Sequence, residues 1–237
     1  MKKRSPISLM IPAYFVVLIC FILSGIYGSQ AVTAYSEKVV FDNRTCVIID
    51  AGHGGEDGGA ISCSGIKESN FNLEISKRIN DLLNLIGVRT YMIRCEDISI
   101  YKEGSHTIAA KKVSDLKERV RIINQTENAV LISVHQNYFH DSKYSGTQVF
   151  YANTNNSEQL AKNLQQNFKT ALQPNNKRQA KKTSGIYLME HITCPGVLIE
   201  CGFLSNPKEE AYLRDAEYQK DITAVISCTL SNYLDRQ

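Results

Sequence analysis

Past residue 45 the chain alternates two hydrophobic rhythms. Short runs at 46–51, 89–94, 129–135, 146–152 and 197–201 are rich in Val, Ile, Leu or Tyr and nearly unbroken in their apolarity, which predicts strands covered on both faces. Between them apolar side chains recur every three or four positions. Ile75, Ile79, Leu82, Leu83 and Ile86 form one such stripe, opening near Asn70 and stopped by Gly87. Leu116, Val120 and Ile123 mark a second helix, Leu160, Leu164, Phe168, Ala171 and Leu172 a third, and Ile222, Val225, Ile226, Thr229, Leu230 and Tyr233 a fourth. This alternation predicts a single α/β domain, a largely parallel twisted sheet flanked by helices on both faces. No internal repeat is present. The polar stretches 96–112 and 173–183 read as long surface loops, which in a compact domain often form functional rims.

The chain has 237 residues and 43% hydrophobic content, ample for a globular core. Its formal charge of +3 is carried entirely by Lys2, Lys3 and Arg4; the remaining 24 bases balance 24 acids. No basic footprint for a nucleic acid exists, so no nucleic-acid partner is expected. Those three bases precede a charge-free stretch from Ser5 to Ser36. Residues 1–34 therefore read as an export signal or a membrane anchor, with Ser29-Gln30-Ala31 or Val32-Thr33-Ala34 as cleavage points and membrane contact through this segment if it stays uncut. Residues 35–44 read as a linker and 45–237 as the exported domain. Six cysteines fall in that domain without a Cys-x-x-Cys pair, and mostly buried free thiols are expected.

Three apolar runs lead into residues that an apolar strand has no reason to carry: Val47-Ile48-Ile49-Asp50-Ala51-Gly52-His53, Val130-Leu131-Ile132-Ser133-Val134-His135, and Val197-Leu198-Ile199-Glu200. In an open α/β sheet the carboxyl ends of the strands share one edge, where ligands bind. His53, His135 and Glu200 would meet there, and Glu68 lies just before a helix start that favours its charge. Two imidazoles and one carboxylate make a common catalytic zinc shell, and a second carboxylate nearby can serve as proton shuttle. Spacing leaves open which glutamate would bind metal and which would act as base. The bland alternatives are structural histidines, a buried Glu200 paired with an arginine, and a Glu68 that only favours its helix. Glu56 and Asp57 read as solvated loop acids, and His106, His140 and His191 as surface residues. Neither a His-Glu-x-x-His helix nor a phosphate loop is present.

Four blocks resemble the zinc-dependent N-acetylmuramoyl-L-alanine amidases. They are Ile48-Ile49-Asp50-Ala51-Gly52-His53-Gly54-Gly55 with Asp57-Gly58-Gly59-Ala60; Gly65-Ile66-Lys67-Glu68; Ile132-Ser133-Val134-His135; and Pro195 through Asn206 around Leu198-Ile199-Glu200. The resemblance implies that His53, Glu68 and His135 hold Zn2+ and that Glu200 is the catalytic acid/base. It further implies hydrolysis of the amide between muramic acid and its stem peptide in peptidoglycan. Three positions depart from the family pattern: Ala51 and Gly58, where Pro is common, and Gln136, where a small residue is usual. With no wall-binding repeat in the chain, the resemblance extends to the sporulation subgroup that trims spore-cortex peptidoglycan before muramic δ-lactam forms. That subgroup implies an extracytoplasmic setting, in the space between the forespore membranes, and the lack of a wall-binding module leads to the expectation that targeting depends on the leader or on a targeting or activating partner protein. The rival expectations are a zinc deacetylase of wall glycans, a non-catalytic wall-binding protein on the same fold, and a cysteine hydrolase using Cys201 with His135.

Overall fold

A computed structural model describes residues 44–104 and 106–235. The expected leader and all but the last residue of the expected linker lie outside the described residues. Strands β1 (Cys46–Ala51), β2 (Thr90–Met92), β3 (Ala129–Asn137), β4 (Gln148–Tyr151), β5 (Lys181–Lys182) and β6 (Gly196–Phe203) form one sheet in the order β2-β1-β3-β6-β4-β5. The four strands from β2 to β6 run parallel; β4 pairs antiparallel with β6, and β5 follows β4 in parallel. The largely parallel sheet expected from the continuous apolar runs is therefore present.

The period of two along each strand sends alternate residues to opposite layers. Val47, Ile49, Val130, Ile132 and Ile199 pack with Ile75, Leu164 and Ile226, from helices α1 (Glu68–Leu85), α3 (Ser157–Ala171) and α6 (Ala216–Leu234). Ile48, Leu131 and Leu198 face the other way, onto Ile123 of α2 (Ile108–Gln125) and Leu188 and Met189 of α4 (Tyr187–His191). A short helix α5 (Pro207–Arg214) follows β6, its first turn capped by Asn206 Oδ1, which accepts from the backbone N–H groups of Lys208 and Glu209.

Several boundaries differ from the sequence expectation. Helix α1 starts at Glu68, which brings that carboxylate into the first turn. Helix α2 starts inside the expected 96–112 loop, because Thr107 Oγ1 accepts from Ala110 N at 3.1 Å and caps it. Elements α4, α5 and β5 are too short to leave a periodic trace. The six described cysteines are free, as expected, but only Cys46 and Cys201 are buried. Cys228 shows why: Ile222, Val225, Ile226, Thr229 and Leu230 turn inward on α6, which leaves position 228 on the outer face.

Two charged residues sit in the middle of this apolar packing. Asp50 of β1 and Arg119 of α2 are both nearly inaccessible and form an ion pair. Ser133 Oγ donates to Asp50 Oδ2 at 2.6 Å, and Arg119 Nε donates to Asp115 Oδ2 at 2.6 Å. Burial works against the Asp50 charge, but Arg119 and Ser133 outweigh it and hold its pKa below the ordinary 3.8. A carboxylate with a depressed pKa contributes stability that is present above its ordinary value and is lost as pH falls through the lowered one. Arg119→Met is expected to cost about 3–5 kcal/mol by stranding a buried carboxylate, read from urea midpoints. Asp50→Asn is expected to flatten the acid limb of the stability profile; an acid limb identical to that of the unaltered chain would contradict this account.

Candidate active site

The strand ends deliver the expected side chains to one edge. After β1 the chain passes through Gly52, whose N–H donates to Val134 O at 3.0 Å, and enters the loop at His53. A Cβ at Gly52 would overlap the imidazole of His135, so only glycine lets β1 and β3 lie this close with that ring between them. His53 has φ 62°, a conformation a non-glycine residue adopts at a cost of about 1–3 kcal/mol.

Two buried arginines hold it there. Arg94 donates through Nε to Ala51 O (2.8 Å) and through Nη2 to Gly52 O (3.0 Å) and Ser69 O (2.9 Å). Arg119 donates through Nη1 to Ala51 O (3.0 Å) and through Nη2 to His53 O (2.8 Å). Three successive carbonyls at the end of β1 are thereby bonded to guanidinium groups.

Glu68 occupies the centre. Its Oε2 accepts from Ala60 N at 3.0 Å, and its Oε1 accepts from Gln136 N at 3.1 Å and Asn72 Nδ2 at 3.3 Å. His53 Nε2 lies 3.3 Å from Oε2 and His135 Nδ1 lies 3.0 Å from Oε1. The two imidazole rings meet edge to face with centroids 5.0 Å apart. One ligand atom from each of His53, Glu68 and His135 lies within 4.8 Å of the other two, a grouping that can hold a metal ion. Burial opposes the charge on Glu68, but the two histidines outweigh it and hold its pKa well below the carboxylate range. Burial also lowers the pKa of His53, and Asp57 and Glu68 reverse this and push it up to about 9.

Glu200 stands opposite His135 in the β3–β6 register. Its Oε2 is out of solvent and has no hydrogen-bond partner among the described residues. Burial, with a smaller contribution from the Glu68 charge, pushes its pKa up to about 7 against the opposing pull of the two histidines. Glu200, His53 and His135 line a cleft of about 220 Å³ together with Lys112, Ile186 and Leu188.

The alternative of a Glu200 paired with an arginine is therefore not met among the described residues. Asp57 is no solvated bystander: its Oδ2 lies 3.0 Å from His53 Nδ1, off the line of a well-directed hydrogen bond, and 3.1 Å from Lys112 Nζ. Glu56 does stay at the surface, paired with Lys111. His106, His140 and His191 are exposed, as expected. The cysteine-hydrolase expectation fails on burial, which encloses Cys201 completely and pushes its thiol far above the nucleophilic range. Sequence reasoning missed Arg94, Arg119 and Asn72. One signal was available for Arg119, which shares an inward face with Leu116 and Ile123, as Asp50 shares an apolar strand with Ile48 and Ile49.

The sequence profile of N-acetylmuramoyl-L-alanine amidases matches residues 47–232. The chain belongs to this family. The amidase is 39% identical over 181 residues to the germination-specific N-acetylmuramoyl-L-alanine amidase of Bacillus subtilis, a match that covers 76% of each chain. It is 30% identical to LytC of the same organism over 191 residues, 79% of this chain and 35% of LytC. Among solved structures it resembles the CwlD amidase from Clostridioides difficile in complex with the GerS lipoprotein, with a TM-score of 0.78 and 36% identity over 82% of this chain and 100% of that one. For the amidase, Gly52→Ala is expected to cost about 1–3 kcal/mol by overpacking against His135. The same change made with His135→Ala is expected to be near neutral; equal costs in a double-mutant cycle by chemical denaturation would contradict the close approach.

Proposed function

We propose that this amidase is a zinc-dependent hydrolase acting outside the cytoplasmic membrane on the amide between the lactyl group of N-acetylmuramic acid and the L-alanine of the stem peptide. The observation that carries the reading is the convergence of His53, Glu68 and His135 on one point, with the unpartnered carboxylate of Glu200 beside them. The donor set fits zinc: two imidazoles and one carboxylate, with one ligand atom from each within 4.8 Å of the others, make up a common three-residue catalytic zinc shell.

Zinc in this position supplies Lewis-acid polarisation of the scissile carbonyl and a water acidified to a pKa near 7. The protein's own groups do the rest. The Asp57 carboxylate lies against His53 Nδ1 on the side away from Nε2, which faces Glu68, while the backbone N–H groups of Ala60 and Gln136 fix the Glu68 carboxylate. Glu200 takes the proton from the attacking water as the new C–O bond forms. It returns that proton to the alanine nitrogen as the C–N bond breaks. Ile186, Leu188 and Leu198 keep the cleft apolar around that transfer.

Residues 1–34 serve on this reading as export signal or membrane anchor, 35–44 as linker and 45–237 as the zinc amidase domain. Similarity to a germination-specific amidase and to an amidase solved with a lipoprotein supports a place in spore-cortex maturation, with stem-peptide removal before muramic δ-lactam formation in the space between the forespore membranes. The same similarity supports a targeting or activating partner protein. No helix among the described residues is long and apolar enough to cross a membrane.

Glu200→Gln is expected to retain near-stoichiometric zinc while lowering turnover about 10²- to 10⁴-fold, and His135→Ala to lose the metal. Metal content by atomic absorption and muropeptide products by mass spectrometry read both. Free stem peptides are the expected product; deacetylated glycans with peptides still attached would instead favour the deacetylase reading.

A further inference from the structure

The bases of this amidase are unevenly placed. No acid occurs from Gln159 to Met189, yet Lys162, Lys169, Lys177, Arg178, Lys181 and Lys182 all fall there, in a chain whose charges sum to zero beyond its first four residues. Lys177 and Arg178 join Lys208 of α5 along a groove of about 640 Å³, with Gly146, Asn176 and Tyr212 among its walls. Lys177 and Lys208 are exposed and have no carboxylate partner among the described residues. Glu209, the acid lining the groove, is already engaged: Oε1 accepts from Gly146 N at 2.7 Å and Oε2 from Phe203 N at 2.9 Å. Arg178 is held in place by Nε donating to Ser145 O at 3.0 Å and by its guanidinium lying 4.7 Å above the Phe203 ring. That hold leaves both Nη groups for a ligand.

The groove opens at the catalytic edge of the sheet. Because β4 runs antiparallel to β6, its first residues lie beside the last of β6, with Gln148 opposite Glu200. Gln148 Nε2 donates to Gln179 O at 2.6 Å and ties the basic segment to the strand neighbour of Glu200. The segment then continues to Ile186 and Leu188, which line the cleft itself. Strands stand about 4.8 Å apart, so β4 lies roughly 10 Å from the His135 strand. An extended peptide spans that distance in about three or four residues.

We infer that this groove binds the free carboxylates of the stem peptide on the leaving side of the scissile amide, an inference that rests on the peptidoglycan reading above. A planar guanidinium flanked by two unpaired ammonium groups matches carboxylates in both charge and geometry. Phosphate of an anionic polymer would satisfy the charge alone. The groove's place at the carboxyl edge of the sheet, beside the strand that neighbours Glu200, favours the substrate's own peptide.

The test compares a muropeptide carrying free stem carboxylates with the same muropeptide after amidation of those groups. The unaltered amidase is expected to show a KM about 10-fold lower for the free form, and K177Q/K208Q to erase that preference mainly through KM rather than kcat. K220Q, at an exposed lysine of α6, serves as control and is expected to match the unaltered protein. Equal KM for the two substrates, or equal losses on both in K177Q/K208Q, would overturn the inference. Calorimetry on Glu200→Gln with the isolated stem peptide needs no turnover and is expected to give tighter binding of the free than of the amidated peptide. If the chain cleaves no muropeptide while that binding difference persists, the reaction assignment fails and the groove assignment stands. If polyglycerol phosphate of equal charge displaces the peptide as well as the peptide displaces itself, the groove is a general anion site and the inference is wrong.

Discussion

The guanidinium clamp at the end of β1 is the constraint on which the site depends. Strands in a parallel sheet end with carbonyls that have no partner once the chain leaves the ladder, and here those carbonyls belong to Ala51, Gly52 and His53. Arg94 and Arg119 bond all three. Their positive charge is taken up partly by Asp50 and Asp115 and partly by carbonyl dipoles. The clamp fixes a strained backbone at His53, and that backbone in turn aims the imidazole at Glu68. Removing either arginine would disturb a ring it never touches.

The two glutamates of the site receive opposite treatment from the same fold. Glu68, at the first turn of α1, is surrounded by backbone N–H donors and two imidazoles, all of which favour a negative charge. Glu200, on a central strand, has an oxygen without a donor and burial that favours a proton. A pair of carboxylates pushed apart in this way suits one to hold charge at a fixed point and the other to exchange protons. The proposed mechanism requires that division, and it arises from the layers on which the residues sit.

Much of this was legible in the sequence, for identifiable reasons. Apolar runs that end in His or Glu announced both the strands and their shared edge, since few positions in a buried strand tolerate such side chains. The apolar stripes announced α1, α2, α3 and α6, each of which the structure has. The arginine clamp stayed hidden because its partners are carbonyls, which every residue carries. Asp57 escaped because a loop acid looks the same in sequence whether it faces water or an imidazole four residues away. Helices α4 and α5 and strand β5 were invisible because a single turn or a two-residue bridge is stabilised by tertiary contacts, not by periodicity.

The sheet's two outer strands, Thr90–Met92 and Lys181–Lys182, are three and two residues long, and one of them consists only of lysines. Edges so short offer little ladder for another polypeptide to extend, and the lysine pair repels a second copy of itself. Association by strand addition is thereby disfavoured at both sides of the sheet. For an enzyme working amid cross-linked peptides, this geometry also limits self-templated aggregation while leaving the catalytic rim open.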